Sequence, residues 1–387
     1  MSQQPGFTFE TPPSMLVEWG AARRLGAVLA GAFAARDLLI VTDAGLHRAG
    51  VLDAALASLA GEGFRVSVFD GVVADPPEPV LLDCVAQGRD AGVGLVLGFG
   101  GGSSMDVAKL AAVLLAGDQP LAQLYGIDKV QGGRLPLVQV PTTAGTGSEV
   151  TNITILTTGQ TTKMGVVAPQ LYADKVVLDA ELTLDLPPAQ TAATGIDAMV
   201  HAIEAYTSRH RKNPLSDMLA RRALGLLAGH LLTACRDGHD RPAREAMLLG
   251  ACLAGQAFAN SPVAAVHALA YPLGGHFHLP HGLSNALMLG PVLRFNMRAA
   301  APLYAELADV ICPPSDEGVQ ARAVQFVGAM QALMDQSGAP RRLRDVGVGQ
   351  DSLPMLARDA MAQTRLLQNN PVEVTEADAL ALYRAAF

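Results

Sequence analysis

Two segments in the second half of the chain concentrate side chains that bind divalent metals. TGIDAMVHAIEAYTS (residues 194–208) has a helical pattern and places Asp197 and His201 four residues apart, so both project from one face. AVHALAYPLGGHFHLPHGLSNA (residues 265–286) adds His267 in a helical stretch and His281 in a Pro-Gly loop. One carboxylate and three imidazoles suit Fe(II) or Zn(II). The alternative is an ordinary surface pair of a carboxylate and an imidazole.

Two loops rich in glycine and hydroxyl groups predict a nucleotide site. GFGGGSSMDVAK (residues 98–109) follows an apolar strand and opens a helix that we expect Ser103 to cap, and such a helix start suits a pyrophosphate. PTTAGTGSE (residues 141–149) follows another strand. Ligands bind at the carboxyl ends of neighbouring strands in open α/β sheets. Asp43, which ends the strand LLIVTD, is either an acceptor for the adenosine ribose hydroxyls or the N-cap of the next helix.

The pattern of elements predicts two domains. Short apolar runs alternate with helical patterns up to about Leu178, which indicates an α/β domain with an open, mostly parallel sheet. VTNITILTT and KMGVV predict an antiparallel hairpin that turns at Gly159. From Pro187 and Pro188 onward the pattern is almost wholly helical. We therefore expect an α/β dinucleotide-binding domain at residues 1–185 and a helical metal-binding domain at residues 186–387.

The composition excludes several classes of protein. Of 387 residues, 50% are hydrophobic and only 17% are charged, so the chain is not disordered. The net charge of −8 includes no basic run, so we expect no nucleic-acid partner. No apolar segment reaches the roughly 20 residues of a membrane span, and the N-terminus lacks a signal pattern, so we expect a cytoplasmic protein with no membrane partner. Four scattered cysteines predict neither disulfides nor a thiolate zinc site.

These motifs resemble the iron-containing (group III) alcohol dehydrogenase family over essentially the full length of the chain. GGGSSMDVAK, PTTAGTGSEVT, GIDAMVHAIEAY and PHGLSNA match that family's patterns in the same order. The resemblance implies an α/β N-terminal dinucleotide-binding domain, an all-α C-terminal domain and an active site in the cleft between them. It also implies NAD as cofactor, Fe(II) or alternatively Zn(II) as metal, and a homo-oligomer of two or more chains.

The resemblance assigns roles to individual residues. Asp197, His201, His267 and His281 would be the metal ligands. The implied cofactor-binding residues are Asp43 at the adenosine ribose, Gly101, Gly102, Ser103 and Asp106 in the pyrophosphate loop, Thr142, Thr143 and Thr146 in the second loop, Lys163 at the nicotinamide ribose, and Asn152 and Leu182 as weaker candidates.

Two positions depart from the family pattern. Tyr271 stands where many members have a proton-relay histidine, which leaves Tyr271, His276 and His278 as candidates for moving the proton. His278 is the imidazole that we place in the catalytic set with Tyr271. Asp75 replaces an asparagine before a proline, and we expect this change to affect only adenosine binding.

The predicted function is hydride transfer between NAD(H) and a small alcohol and its aldehyde or ketone. The apolar residues near the metal motifs, Phe258, Val263, Leu269 and Phe277, favour small and weakly polar substrates. A hydroxy-acid dehydrogenase or a hydroxyacid-oxoacid transhydrogenase of the same family is the alternative. A lyase of the dehydroquinate synthase type and a non-catalytic nucleotide-binding protein fit less well, because the first needs several basic residues and the second needs no metal ligands.

Overall fold

The structure is a computed structural model that describes residues 6–159 and 162–387. The chain divides into two compact units. The first, an α/β unit, is Thr11–Asp185, and the second, a helical unit, is Leu186–Phe387 together with the segment that ends at Glu10. The sequence pattern predicts one domain over residues 1–185. Glu10 belongs with the helical unit because its backbone N–H donates to Asn260 Oδ1 at 2.8 Å, and Asn260 Nδ2 donates back to the Glu10 carbonyl at 2.8 Å.

A six-stranded parallel sheet forms the centre of the α/β unit. Its strands are β1 (Met15–Val17), β2 (Asp37–Val41), β3 (Arg65–Phe69), β4 (Leu95–Gly100), β6 (Leu137–Pro141) and β9 (Lys175–Leu178). They lie in the order β1-β9-β6-β4-β2-β3, and every neighbouring pair is parallel, which confirms the predicted fold class. β4 and β6 are buried along their whole length, as is typical of parallel strands.

The helices of this unit connect the parallel strands. They are α1 (Leu25–Ala30), α2 (Ala44–Arg48), α3 (Asp53–Gly61), α4 (Glu78–Asp90) and α5 (Gly102–Ala116). One apolar core includes Leu38 and Ile40 of β2, Leu97 of β4 and Val138 of β6, all fully buried. The apolar runs in the sequence therefore become the inner strands, while the three-residue edge strand β1 is too short to show a pattern.

A second, three-stranded sheet carries the predicted hairpin. It consists of β5 (Gly126–Ile127), β7 (Ile153–Thr158) and β8 (Thr162–Val167), in the order β5-β8-β7. β7 and β8 are antiparallel from Ile153↔Val167 to Thr158↔Thr162, which confirms the hairpin. Gly159 enters the turn with a left-handed φ of 61°, and residues 160–161 of the turn lie outside the described residues.

The second unit is almost wholly helical, as predicted. They are α6 (Pro188–Thr207), α7 (Pro214–Arg236), α8 (Arg241–Asn260), α9 (Ala265–Phe277), α10 (His281–Ile311), α11 (Val319–Ser337), α12 (Leu353–Ala360), α13 (Thr364–Leu367) and α14 (Glu376–Ala386). α6 and α7 begin with proline, whose missing N–H costs nothing in a first turn. α6 packs against α7, α8 and α10 and is buried from Gly195 to Thr207.

No single helix in the described ranges has the length and hydropathy of a membrane span. α8 and α9 reach them only as a pair, and the two are bent by 105° at the break between them.

Candidate metal centre and nucleotide-binding loops

The four side chains predicted to ligate a metal come together in the helical unit. Asp197 and His201 project from α6, His267 lies in the first turn of α9, and His281 is the first residue of α10. Their ligand atoms all lie within 4.8 Å of one another, and all but the half-buried His281 are buried. The prediction that His281 lies in a loop was wrong. α10 begins at His281, directly after its N-cap Pro280, because a proline disfavours helical backbone at the residue that precedes it.

The contacts inside this cluster bring several lone pairs together. His267 Nε2 lies 3.0 Å from His201 Nε2. Asn285 Nδ2 lies 2.6 Å from Asp197 Oδ1 and 3.2 Å from Nε2 of both His267 and His281. An amide nitrogen has two hydrogens and cannot donate to three acceptors at once. Asn285 Oδ1 is also buried and has no hydrogen-bond partner in the described chain.

A divalent cation fits this donor set. Atoms that ligate one ion at about 2.0–2.2 Å must lie close to one another, and the four ligand atoms here, all within 4.8 Å of one another, meet that requirement. Burial raises the pKa of Asp197, but attraction to His201, His281 and His267 and the hydrogen bond from Asn285 outweigh it, so this pKa lies below its ordinary value. The carboxylate is therefore ionised, which is the form that binds metal.

Two neighbours keep the cluster compact. Gly282 follows His281, and a Cβ at this position would lie 2.6 Å from the backbone oxygen of Ala193 in α6. Glycine is thus required where α10 approaches α6. Phe258 of α8 stacks on the ring of His201, with centroids 4.4 Å apart and planes 18° from parallel. This aromatic face covers the imidazole with apolar surface.

The three candidates for moving the proton lie in different surroundings. The ring of Tyr271 lies 6.1 Å from the ring of His281, centroid to centroid. His276 Nε2 contacts Asp359 Oδ2 at 2.5 Å and is engaged by α12. His278 is exposed and ends α9 with a left-handed backbone, φ 54°. Tyr271 is thus the candidate beside a predicted ligand, while His278 is the one open to water.

In the α/β unit the two glycine- and hydroxyl-rich loops lie side by side. They follow β4 and β6, which are neighbours in the sheet. A Cβ on Gly101 would lie 3.6 Å from Thr143 Cγ2, and a Cβ on Gly102 would lie only 2.8 Å from Thr146 Cγ2. The backbone N–H of the buried Thr142 donates to a carbonyl of β4 at 3.0 Å. Glycine at position 102 is therefore what allows the second loop to come so close.

Ser103 does not cap α5, contrary to the prediction. The N-cap is Gly101, which has an extended backbone, and no side chain accepts a hydrogen bond there among the described residues. The helix starts one residue before Ser103, so the serine already lies in its first turn. Backbone N–H groups without a side-chain cap remain suited to an anion.

Asp106 and Lys109 fasten the second loop to α5. Asp106 Oδ1 accepts the Ser148 hydroxyl at 2.6 Å, and its Oδ2 accepts the Ile155 N–H at 2.9 Å. Lys109 Nζ donates to Ser148 Oγ and to the Ile153 carbonyl, both at 2.7 Å. Burial lowers the pKa of Lys109. Asp106 thus has both oxygens engaged within the protein.

Asp43 caps a helix and also retains an oxygen for a ligand. Its Oδ1 accepts the backbone N–H groups of Gly45 at 2.8 Å and Leu46 at 3.0 Å, which makes it the N-cap of α2. Its Oδ2 has no protein partner in the part of the chain that the structure describes. β2, which precedes Asp43, lies between β3 and β4, where the strand order reverses and ligands bind in such sheets.

Lys163 and Asp75 form an ion pair. The Lys163 side chain, in β8, is only 8% exposed. Asp75 has a left-handed backbone, φ 51°, and its carbonyl accepts the Thr157 hydroxyl at 2.9 Å. From the sequence we expect Asp75 to affect only adenosine binding. Because Asp75 is paired with Lys163, which the resemblance places at the nicotinamide ribose, a change at Asp75 also reaches that lysine.

The two weaker cofactor candidates differ in what they leave available. Leu182 packs against the apolar core of the α/β unit, which accounts for its side chain. The backbone carbonyl of Asn152 accepts the Ala168 N–H at 3.1 Å. The side-chain oxygen Oδ1 of Asn152 is buried and has no hydrogen-bond partner among the described residues. A polar ligand could satisfy that oxygen.

Three residues beside the metal cluster are not among those predicted from the sequence. Asn285 contacts three predicted ligands, Gly282 permits the approach of α10 to α6, and Glu204 contacts His267. Glu204 lies seven residues after Asp197, so helical periodicity places it on the same face as the two α6 ligands. Asn285 lies four residues after His281. Extending the helical pattern of α6 by one turn would have found Glu204, whereas Asn285 joins the same face only because α10 begins at His281.

Comparisons with known proteins cover both units. Residues 12–180 match the model of iron-containing alcohol dehydrogenases, and residues 191–387 match the C-terminal model of the same family. The chain is 40% identical over 387 residues to long-chain-alcohol dehydrogenase 1 of Geobacillus thermodenitrificans, covering 97% of this chain and 95% of that one.

Solved structures of similar proteins extend over the whole chain. A 1,3-propanediol oxidoreductase superposes with a TM-score of 0.94 at 33% identity, covering 99% of this chain and 100% of the other. Sulfoacetaldehyde reductase from Bifidobacterium kashiwanohense, in complex with NAD⁺, superposes with a TM-score of 0.87 at 28% identity, covering 99% of both chains. These matches confirm the family predicted from the motifs. The chain belongs to the iron-containing alcohol dehydrogenase family, a family of oxidoreductases that uses NAD(H) and iron.

Proposed function

We propose that this protein transfers a hydride between NAD(H) and a small alcohol and its aldehyde or ketone, at an Fe(II) ion held by Asp197, His201, His267 and His281. The observation that carries the proposal is that one carboxylate and three imidazoles from three helices place their ligand atoms within 4.8 Å of one another. Zn(II) is the alternative ion, because divalent Zn binds such ligands more tightly than Fe.

The residues of the cluster prepare the reaction site. Asp197 supplies the negative charge that offsets part of a divalent cation's charge, and the imidazoles supply neutral donors. The stacked ring of Phe258 keeps water from one face of His201. The bound metal would supply Lewis-acid polarisation of the substrate oxygen, and NAD(H) would supply the hydride chemistry.

The two loops and Asp43 would bind the dinucleotide. Uncapped N–H groups at the start of α5 suit the pyrophosphate, with Gly101, Gly102 and Ser103 offering close backbone approach and Thr142, Thr143 and Thr146 bordering them. Asp43 Oδ2 would accept the adenosine ribose hydroxyls. Lys163 would reach the nicotinamide ribose while paired with Asp75. Asn152 contributes its buried Oδ1, whereas Leu182 supports the site through packing.

The proton leaves by Tyr271 or His278 in this proposal. Tyr271 lies beside the His281 ring, but a phenol with a pKa near 10 moves protons poorly at neutral pH. The exposed imidazole of His278 can exchange protons with solvent directly. His276, engaged by Asp359, is the weaker candidate.

The finer choice of substrate, the location and the assembly also belong to this proposal. Phe258 and Val263 are nearly buried apolar residues beside the cluster's helices, which favours weakly polar substrates. Leu269 is fully buried and accepts the Tyr383 hydroxyl through its carbonyl, so it supports the fold instead. A cytoplasmic location and a homo-oligomer, as predicted from the sequence, are tested by cell fractionation and by light scattering of the purified protein.

Metal replacement and a substrate panel test the function. The chelated protein should lose NAD reduction with primary alcohols, diols and hydroxy acids, and Fe(II) should restore it. The absorbance of reduced nicotinamide measures the turnover, and elemental analysis measures the metal content. The His267→Ala variant should bind less than one equivalent of metal and show no turnover. Full activity in metal-free His267→Ala would refute the proposal, and activity confined to hydroxy acids would shift the substrate class to the alternative.

A further inference from the structure

Glu204 shares one face of α6 with two of the proposed metal ligands. Asp197, His201 and Glu204 are at positions i, i+4 and i+7, and seven residues turn an α-helix through nearly two full turns. Glu204 is only 4% exposed. A buried carboxylate is costly unless it is paired or hydrogen-bonded, so its contacts indicate what it does.

Three donors converge on the Glu204 carboxylate. Oε1 accepts the Val266 N–H at 2.7 Å, and Oε2 accepts the Ala264 N–H at 3.0 Å. Oε2 also lies 2.6 Å from Nδ1 of His267. Ala264 is the N-cap of α9, and its own side chain forms no capping bond. One carboxylate thus caps the helix that carries His267 and contacts the imidazole itself.

This contact determines which nitrogen of His267 faces the cluster with a lone pair. A carboxylate that accepts two backbone N–H bonds has only acceptor capacity toward a third group, so His267 Nδ1 carries the hydrogen. In the neutral imidazole Nε2 then has the lone pair, and this atom is the one 3.0 Å from His201 Nε2. Carboxylates that hold the distal N–H of a ligand histidine orient the ring and increase its basicity.

We propose that Glu204 is the positioning residue of the metal centre, which fixes the Nδ1–H tautomer and the ring orientation of His267. The proposal rests on the proposed function, because it takes His267 to be a metal ligand. Glu204 touches neither substrate nor metal and acts through His267.

The Glu204→Gln substitution separates this role from helix capping. The Gln amide has one oxygen for the three donors that the carboxylate accepts. When that oxygen accepts the Val266 N–H, the N–H₂ group faces His267 Nδ1 and donates to it, so the hydrogen of the neutral imidazole moves to Nε2, which can no longer bind a metal. When the amide is turned the other way, His267 Nδ1 keeps an acceptor but loses the carboxylate charge that increases the basicity of Nε2. A pure cap would lose stability without this effect on the metal.

The matched control is a carboxylate-to-amide change at another helix cap. Asp240 caps α8 by accepting the Ala243 N–H at 2.8 Å. Asparagine is as good an N-cap as aspartate, so Asp240→Asn should leave both stability and metal binding unchanged.

The affinity for metal is measured by titrating the metal-free protein with Co(II) in competition with a chromophoric chelator. The unmodified protein and Asp240→Asn should bind Co(II) with the same Kd, and Glu204→Gln should bind about 10–100-fold more weakly, with an altered Co(II) absorption spectrum. An unchanged Kd and spectrum in Glu204→Gln would overturn the proposal, even if the Tm of the metal-free variant falls. Absence of Co(II) and Zn(II) binding by the unmodified protein would instead overturn the proposed function.

A second measurement does not depend on the folding of Glu204→Gln. The ¹⁵N spectrum of histidine-labelled, metal-free protein, assigned by comparison with His267→Gln, reports the tautomer of His267. A protonated Nδ1 supports the positioning role. A protonated Nε2 with a bare Nδ1 contradicts it.

Discussion

The Gly282→Ala substitution should loosen the metal centre through the spacing of two helices. The added Cβ would lie 2.6 Å from the Ala193 backbone oxygen and 3.3 Å from Asp197 Cβ. The first distance is about 0.8 Å shorter than the 3.4 Å at which ordinary contact begins. A backbone carbonyl inside a helix cannot rotate away as a flexible side chain can, so α10 and α6 must separate.

The size of the effect on stability and on metal binding follows from the cost of overpacking and from the narrow range of metal–ligand distances. Overpacking costs about 1–3 kcal/mol, and the better helix propensity of alanine offsets about 1 kcal/mol of it. Stability therefore falls by about 2 kcal/mol at most. Metal–ligand distances tolerate only about 0.2 Å, so moving His281 away from Asp197 should raise the Kd for Co(II) about tenfold or more, or at least about 1.4 kcal/mol.

A second glycine provides the control. Beyond its chain neighbours and the nearby backbone of α7, a Cβ on Gly229 would meet no atom of the described residues within 4 Å, so Gly229→Ala should be stabilising by about 0.4–1 kcal/mol with an unchanged metal Kd. Calorimetric Tm values of the metal-free proteins and the Co(II) titration measure both effects. If Gly282→Ala binds Co(II) as tightly as the unmodified protein, the approach of α10 to α6 does not determine the ligand geometry.

Four further substitutions test the cofactor site, the proton path and a buried carboxyl group. The protein should prefer NAD to NADP, because the Asp43 carboxylate repels the extra phosphate of NADP. Asp43→Asn keeps the cap of α2 but loses the charge, so the ratio of kcat/KM with NAD to kcat/KM with NADP should decrease. Equal use of both cofactors by the unmodified protein would show that Asp43 does not contact the adenosine ribose. His278→Asn, which tolerates the left-handed backbone, should lower kcat by about 10²-fold at unchanged metal content, with recovery on adding imidazole, whereas Tyr271→Phe should change it little. An unchanged kcat in His278→Asn would show that His278 does not carry the substrate proton and that the proton leaves through water. Burial raises the pKa of Glu149 to about 7, against the opposing effect of Lys109. The folded state therefore binds this proton more tightly than the unfolded state, and the free energy of unfolding should fall by about 3 kcal/mol as pH rises from about 4.5 to 7. Urea denaturation at several pH values should show that the free energy of unfolding of Glu149→Gln depends less on pH than that of the unmodified protein. The same pH dependence in both proteins would contradict the raised pKa of Glu149.

Local patterns in the sequence were sufficient for the fold class and for naming the four side chains that come together in the metal cluster. Apolar runs alternating with helical segments predict parallel strands, because each strand must be buried and each return to the same sheet edge needs a crossover helix. The spacing of Asp197 and His201 places both on one face of α6, because helical periodicity is local. Glycines and hydroxyls directly after β4 and β6 indicate an anion site for the same reason.

Tertiary structure alone decided the contacts between segments far apart in the chain. Glu204 and His267 are 63 positions apart, Lys163 meets Asp75 across the hairpin, and His276 is engaged by Asp359 of α12. No local periodicity encodes such pairs, because their partners are selected by how whole helices and sheets pack.

The boundaries of α5 and α10 show the same limit at short range. The sequence predicted a Ser103 cap and a loop at His281, yet α5 starts at Gly102 and α10 at His281. Hydrogen-bonding propensities indicate a helix start only to within a residue or two, and packing against neighbours decides the final position. The sequence therefore determined which residues could form the site, while close packing, such as that of Gly282 against Ala193, determined where each one is held.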